Sequence, residues 1–219
     1  MSDNAEKILY LIDGHAQIFR AYFAIRGGMT SPVTGEPTHA VFGYAGMLIK
    51  LFDKFHPASV ITALDSPRKT FRDEIYPEYK AHREAPPEDF RPQVERIIEM
   101  TRLFGIPTLA QEGAEADDII ATCVRRILDD PAHKDVRIRI VSKDKDLEQL
   151  LGPRVEMFDI HKDQRIDLDA LHEARGITPA QVVDLLALTG DKVDNIPGVP
   201  GIGPKTAAQL LQQFDSIEG

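Results

Sequence analysis

The sequence has 219 residues, 42% hydrophobic and 28% charged, a globular composition that suits one substantial core with a small appended module. Its single cysteine, Cys123, excludes an internal disulfide, and the polar start "MSDNAEK" without any long apolar run predicts a cytoplasmic protein with no membrane contact. The net charge of −9, taken alone, argues against a nucleic-acid partner.

In chain order, "KILYLIDG" (7–14) reads as a strand that ends on Asp13. Helical patterns follow over 15–25 and 40–54. "ASVITALD" (58–65) is a second strand, ending on Asp65. The segment "SPRKTFRDEIYPEYKAHREAPPEDF" (66–90) then interleaves Arg68, Lys69, Arg72, Lys80, His82 and Arg83 with Phe71, Tyr76 and Tyr79. Basic residues track a phosphate backbone and aromatic faces stack unpaired bases, while the blander reading is a solvated loop balanced by Asp73, Glu74 and Glu78. A helix over 92–104 precedes "EGAEADDIIA" (112–121), where Glu115, Asp117 and Asp118 crowd the start of a helix over 117–128. Cys123 falls in that helix's apolar pattern, as a buried thiol would. "VRIRIVSKD" (136–144) is a third strand, reaching Asp144 and, two residues on, Asp146. A helix over 179–190 starts on a capping box, Thr178 with Gln181 and Pro179 between them, and ends near Asp191 and Asp194. "GVPGIGPKTAAQLL" (198–211) nearly imitates a phosphate-cradling loop. Pro204 intrudes before Lys205 and Thr206, however, and a helix rather than a strand precedes it. A glycine hairpin between two helices fits better, with free backbone N–H groups facing a DNA phosphate. An ordinary helix–helix turn is the alternative.

Strands alternating with helices predict a mainly parallel central sheet with helices on both faces. Three strands each run into an aspartate, and in such sheets the carboxyl ends form the functional edge. Any one of these aspartates could be a turn former or a helix cap. Three together with the 115–118 triplet point instead to a site. At about 100° per residue, Glu115 and Asp118 lie about 60° apart on one helix face, with Asp117 above the core-facing stripe. Dipole compensation accounts for one or two acids in a first turn, not three. Asp191 and Asp194 even oppose the dipole of the helix they follow. Hard divalent cations would relieve such crowding. The candidate ligands are Asp13, Asp65, Glu115, Asp117, Asp118, Asp144, Asp146, Asp191 and Asp194. The chain has 35 acidic and 26 basic residues, so those nine account for the whole net charge and the nucleic-acid question reopens.

"LIDGHAQIFRAYFA", "GEPTHAVFG", "TFRDE", "YKAHR", "EADDIIAT", "KDKDLEQLL" and "TGDKVDNIPGVPGIGPKTA" together resemble the 5′ nuclease family, over nearly the whole chain and in order. The likeness is to the N-terminal 5′–3′ exonuclease domain of bacterial DNA polymerase I, related to flap endonucleases. It implies an α/β, PIN-like nuclease core over 1–175 with a helical arch near 66–92, and a helix-hairpin-helix over 176–219 that the family extends further. It implies two Mg²⁺ or Mn²⁺ ions. One is held by Asp13, Asp65, Glu115, Asp117 and Asp118, the other by Asp144, Asp146, Asp191 and Asp194. Asp117 and Asp118 are expected to touch metal directly, and Glu115 through water. The likeness also implies a K⁺ on backbone carbonyls near Val199, Gly201 and Ile202. Arg72, Lys80 and Arg83 would act on the scissile phosphate. Arg68, Lys69, Phe71, Tyr79, Tyr22, Gly201, Gly203, Lys205 and Thr206 would contact DNA. The expected partner is DNA with 5′ flaps, nicks or free 5′ ends, met by a monomer in the bacterial cytoplasm at the nucleoid, either with a polymerase domain attached in a full-length protein or as a standalone nuclease. Lys143 departs from the pattern and is expected to pair with a carboxylate and alter the second metal site. A related metal-dependent RNase and a non-catalytic DNA-structure binder are the alternatives. A strand-end DxD phosphatase fits less well, because Asp13 is followed by Gly14 and His15.

Overall fold

A computed structural model describes residues 7–25 and 28–219. In chain order the elements are β1 (Lys7–Asp13), α1 (Gly14–Ala24), α2 (His39–Phe55), β2 (Ser59–Ala63), α3 (Phe71–Ile75), α4 (Phe90–Leu103), β3 (Thr108–Leu109), α5 (Ala116–Asp129), β4 (Val136–Val141), β5 (Val155–Asp159), β6 (Gln164–Ile166), α6 (Leu168–Arg175), α7 (Val182–Thr189) and α8 (Pro204–Phe214). Six strands form one sheet in the order β3-β2-β1-β4-β5-β6. All neighbours are parallel except β5 with β6.

The central strands β1 and β4 are buried on both faces along most of their length, which is why they read as apolar runs rather than alternations. β1 shows the consequence residue by residue. Leu9 and Leu11 join a core with Ile120 and Val124 of α5, Leu171 of α6, Leu185 of α7 and Leu211 of α8. Tyr10 and Ile12 join the opposite core, with Ile18 of α1, Tyr44, Leu48 and Leu51 of α2, and Ile97 of α4. Helices therefore cover both faces, as expected.

The order turns back between β1 and β4: the chain steps from β1 to β2 and β3 on one side, then begins again at β4 on the other. Such a switch point opens a crevice at the carboxyl ends of the strands. Asp13 pairs with Ala63 in register, and Ile12 with Val141, so Asp65 and Asp144 lie just past their strands at the same edge. Gly14 lets α1 begin there. A Cβ on it would sit 2.6 Å from Leu64 and 2.7 Å from the Ala63 carbonyl.

Several elements differ from the sequence expectation. β3, β5, β6 and α6 were not anticipated. The 66–92 segment holds only the five-residue α3 and the first residues of α4, with turns between. A 3₁₀ turn, Pro179–Gln181, carries the expected capping box and runs into α7. Cys123 is half-buried at the margin of the α5 core rather than fully enclosed.

Candidate active site at the carboxyl edge of the sheet

Asp13 is 5% exposed at the end of β1. One of its oxygens accepts from the Ala16 N–H at 3.2 Å and the other from the Ser142 hydroxyl at 2.8 Å, which ties β1 to β4 across the switch point. Asp65 accepts from the Ala116 N–H at 2.7 Å, and so joins the end of β2 to the start of α5. The Asp65 N–H in turn donates to Nδ1 of His15 at 2.9 Å. Burial holds His15 below the usual imidazole range, which suits that acceptor role. Asp118 closes the first turn of α5 by accepting from the Glu115 N–H at 2.9 Å.

All nine expected carboxylates meet at this edge; Asp65 lies 3.4 Å from His15 Nδ1, and the other eight fall into two electrostatic groups. Asp13, Asp117, Asp144 and Asp146 have no ion-pair partner among the described residues. Burial, then Asp13, Asp144, Asp65 and Asp146, push Asp117 up to about 8. Burial raises Asp13 to about 6 against its two hydrogen bonds. Burial, then Asp144, Asp191 and Asp194, raise Asp146 to about 6, and its Oδ1 is buried without a hydrogen-bond partner.

The second group carries cations. Arg72 forks onto both oxygens of Asp118 at 2.8 and 2.9 Å, which draws that carboxyl below its ordinary value. Lys80 Nζ lies 2.9 and 3.0 Å from the two oxygens of Glu115. Arg83 reaches Asp194 at 2.6 Å, and Lys145 reaches Asp191 at 3.2 Å. Oxygens of Asp146, Asp191 and Asp194 lie within 4.8 Å of one another. A cavity of about 370 Å³ opens between the groups, lined by Arg72, Tyr79, Glu115, Asp117, Asp118, Asp146 and Asp194. The donor set is entirely oxygen. An unpartnered buried oxygen and a carboxyl pushed up to about 8 are the strains a hard divalent cation would relieve, so these residues fit such an ion.

The other expected site residues are placed as follows. Tyr79 is buried, its hydroxyl 2.9 Å from Glu115 and 3.0 Å from Asp194, so its ring is not offered for stacking. Tyr22 donates to Asp89 at 2.6 Å and packs edge-on against Phe23 and Phe90. Phe71 is half exposed under the Arg72 guanidinium. Arg68 pairs with Glu112, and Lys69 is exposed. Lys143 pairs with a carboxylate, as expected, and the partner is Asp159 at 3.4 Å, outside the nine. Gly201 turns the hairpin with φ of +83°, and Gly203, Lys205 and Thr206 are exposed at the start of α8. Val199 is exposed and Ile202 half-buried beside them. Sequence reasoning missed Ser142, His15 and Asn195. Ser142 and His15 stand beside the aspartates that were read, so the neighbourhood of each strand end was the available signal.

Fold and site together make a PIN-like sheet with its acidic edge roofed by a cationic segment. Residues 8–176 match the family described as "5'-3' exonuclease, N-terminal resolvase-like domain", and residues 177–219 match "5'-3' exonuclease, C-terminal SAM fold". The chain belongs to the 5′–3′ exonuclease family. It is 44% identical to DNA polymerase I of Rhizobium leguminosarum over 96% of its own length, but spans only 21% of that protein. It is 38% identical to a 5′–3′ exonuclease of Aquifex aeolicus, covering 97% of this chain and 71% of that one. T5 5′-exonuclease, solved with divalent zinc ions bound, superposes with a TM-score of 0.78 at 25% identity, over 96% of this chain and 77% of that one. The catalytic core of Rad2, solved with DNA, shares the fold at a TM-score of 0.65 and 18% identity, over 97% of this chain and 61% of that one.

Proposed function

We propose that this chain is a structure-specific 5′ nuclease that hydrolyses DNA phosphodiesters near free 5′ ends, in primer removal and repair. The observation that carries the reading is the group of carboxylates left without counter-ions at the switch point, Asp117 above all. The nine acids would hold two Mg²⁺ or Mn²⁺ ions, with Asp13, Asp65, Glu115, Asp117 and Asp118 toward one and Asp144, Asp146, Asp191 and Asp194 toward the other. When bound, such ions supply an activated water and stabilise charge on the leaving oxygen.

The protein's own side chains do the rest. Lys80, Arg83 and Arg72 bind and orient the scissile phosphate and offset its developing negative charge. Arg68, Lys69 and Phe71, on the exposed approach to the cavity, contact the single strand. Residues 176–219 act as a helix-hairpin-helix unit. Backbone N–H groups before α8, with Lys205 and Thr206, hold a duplex phosphate without reading sequence. The carbonyls near Val199, Gly201 and Ile202 would hold K⁺. Among the described residues no helix is long and apolar enough to cross a membrane. We place the activity at the bacterial nucleoid, as a monomer, with a polymerase domain on the same polypeptide.

The test is cleavage of a 5′-labelled DNA flap in Mg²⁺ by the natural protein and by Asp117→Asn, beside a matched RNA flap. The expected result is release of 5′-phosphorylated DNA products by the natural protein, with a loss of about 100- to 1,000-fold in Asp117→Asn, the scale of removing a group that stabilises charge in the transition state. Equal cleavage by both proteins contradicts the reading. Preference for the RNA flap points to the RNase alternative.

A further inference from the structure

The cations assigned to the phosphate are already engaged by carboxylates. Arg72, Lys80 and Arg83 sit on Asp118, Glu115 and Asp194 respectively, with longer contacts of 3.9 Å from Arg72 to Glu115 and from Lys80 to Asp194. The backbone between them is clasped as well. The Lys80 N–H donates to the Asp194 carbonyl at 3.0 Å, and Asn195 Nδ2 donates to the Glu78 carbonyl at 2.8 Å. The Tyr76 hydroxyl donates to the Asn195 carbonyl at 3.2 Å, and Arg83 Nε to the Val193 carbonyl at 3.3 Å. Segment 76–83 is therefore buttoned to the loop 193–195 by side chains and main chain together. Lys80 does this with φ of +54°, a left-handed conformation costly for a residue with a Cβ, which persists only where the surroundings over-determine it.

The division of charge is informative. Among the described residues Asp13, Asp117, Asp144 and Asp146 have no ion-pair partner, while Glu115, Asp118 and Asp194 each have at least one. A carboxylate oxygen already engaged by a guanidinium or ammonium group is a poor ligand for a further cation. The same cation, once displaced, has lost its partner and lies at the cavity mouth. Only one of the two can hold the carboxylate at full strength.

We propose that residues 72–83 are a counter-ion latch: Arg72, Lys80 and Arg83 neutralise Glu115, Asp118 and Asp194 until a divalent cation takes those carboxylates, and the exchange delivers the three cations to substrate phosphate. The inference rests on the proposed function. It makes latch release and cation entry reciprocal. Divalent cations loosen segment 76–83 in the absence of DNA. A bound phosphate that occupies Arg83 and Lys80 tightens cation binding. The latch also keeps this dense acid cluster from drawing in cations indiscriminately when no substrate is present, because the latched state must first open.

Two measurements on the 219-residue chain test this, one of them free of metal. In chelator, trypsin is expected to cut slowly after Lys80 and Arg83, and Asp194→Asn is expected to speed that cutting several-fold. Unchanged cutting in Asp194→Asn overturns the latch whatever the metal result. In calorimetric titration with Mn²⁺ and no DNA, Arg83→Gln and Lys80→Gln are each expected to tighten binding about 10-fold, within the usual range of coupled sites. Mn²⁺ is also expected to accelerate trypsin cutting in the natural protein beyond a NaCl control of equal ionic strength. Equal or weaker Mn²⁺ affinity in both variants, or protection of Lys80 and Arg83 by Mn²⁺, overturns the latch and leaves the nuclease reading standing. Failure of the natural protein to bind Mn²⁺ at all overturns both.

Discussion

Asp117 and Asp118 are adjacent in sequence and opposite in circumstance. Asp118 meets a forked guanidinium and sits below its ordinary value, while Asp117 meets only burial and other acids and sits at about 8. Sequence spacing showed that both belonged to one site. It could not separate them, because the difference is made by Arg72, 46 residues away from Asp118 in the chain. The same holds for Lys80 and Arg83. Their basic character was legible, but their seats on Glu115 and Asp194 depend on separations of 35 and 111 residues. Gly14 shows a residue whose role was hidden in plain view. It was read as the end of a strand, and the structure shows that its lack of a side chain lets α1 start against β2. Gly14→Ala is expected to destabilise the fold by about 1–3 kcal/mol, the usual cost of forcing an extra methyl into close packing. The urea midpoint measures this, and an unchanged midpoint contradicts it.

At the scale of elements, β1, β2 and β4 were legible because strands buried on both faces must be apolar and β-branched. β5 was not. It is buried throughout, yet its sequence "VEMFD" carries two acids. Glu156 is tolerated inside because Arg139 pairs with it from β4, and Asp159 because Arg20 reaches it at 3.0 Å. Neither partner is visible along the strand itself. β3, with two residues, has no period to detect. The segment 66–92 carries turns where a helical arch was expected. Arg72, Lys80 and Arg83 find partners across the site instead of along a helix. The capping box of the 179–190 region was legible, but not its second use. Gln181 accepts from the Thr178 N–H at 3.0 Å and donates from Nε2 to the Leu211 and Asp215 carbonyls, both at 3.0 Å. One side chain thus caps the start of one helix and closes the end of α8. Gln181→Ala is expected to cost about 1–3 kcal/mol, because buried groups lose their partners. It should also weaken duplex binding while sparing the acidic edge. Equal urea midpoints and equal duplex affinity would contradict both expectations.

For the whole molecule, the nine edge carboxylates equal the net charge of −9, so the remaining acidic and basic residues of the chain balance in number and the net charge does not exclude a polyanion. That concentration of charge makes stability depend on pH in a definite direction. Asp117 moves from 3.8 to about 8 on folding, and Asp13 and Asp146 move to about 6. Between those values the folded state binds more protons than the unfolded state, so stability falls as pH rises. The contribution is fully present below about pH 4 and is lost through about pH 6 to 8. The most direct measurement is the melting temperature of chelator-stripped protein at pH 5 and pH 8.5, with Mg²⁺ then titrated in at the higher pH. The account predicts a lower melting temperature at pH 8.5, a rise of several degrees with Mg²⁺, and a metal-free Asp117→Asn that melts above the natural protein at pH 8.5 yet gains less from Mg²⁺. A natural protein indifferent to Mg²⁺ at pH 8.5, or an Asp117→Asn that melts below it there, would contradict the claim that this edge is built to be filled by divalent cations.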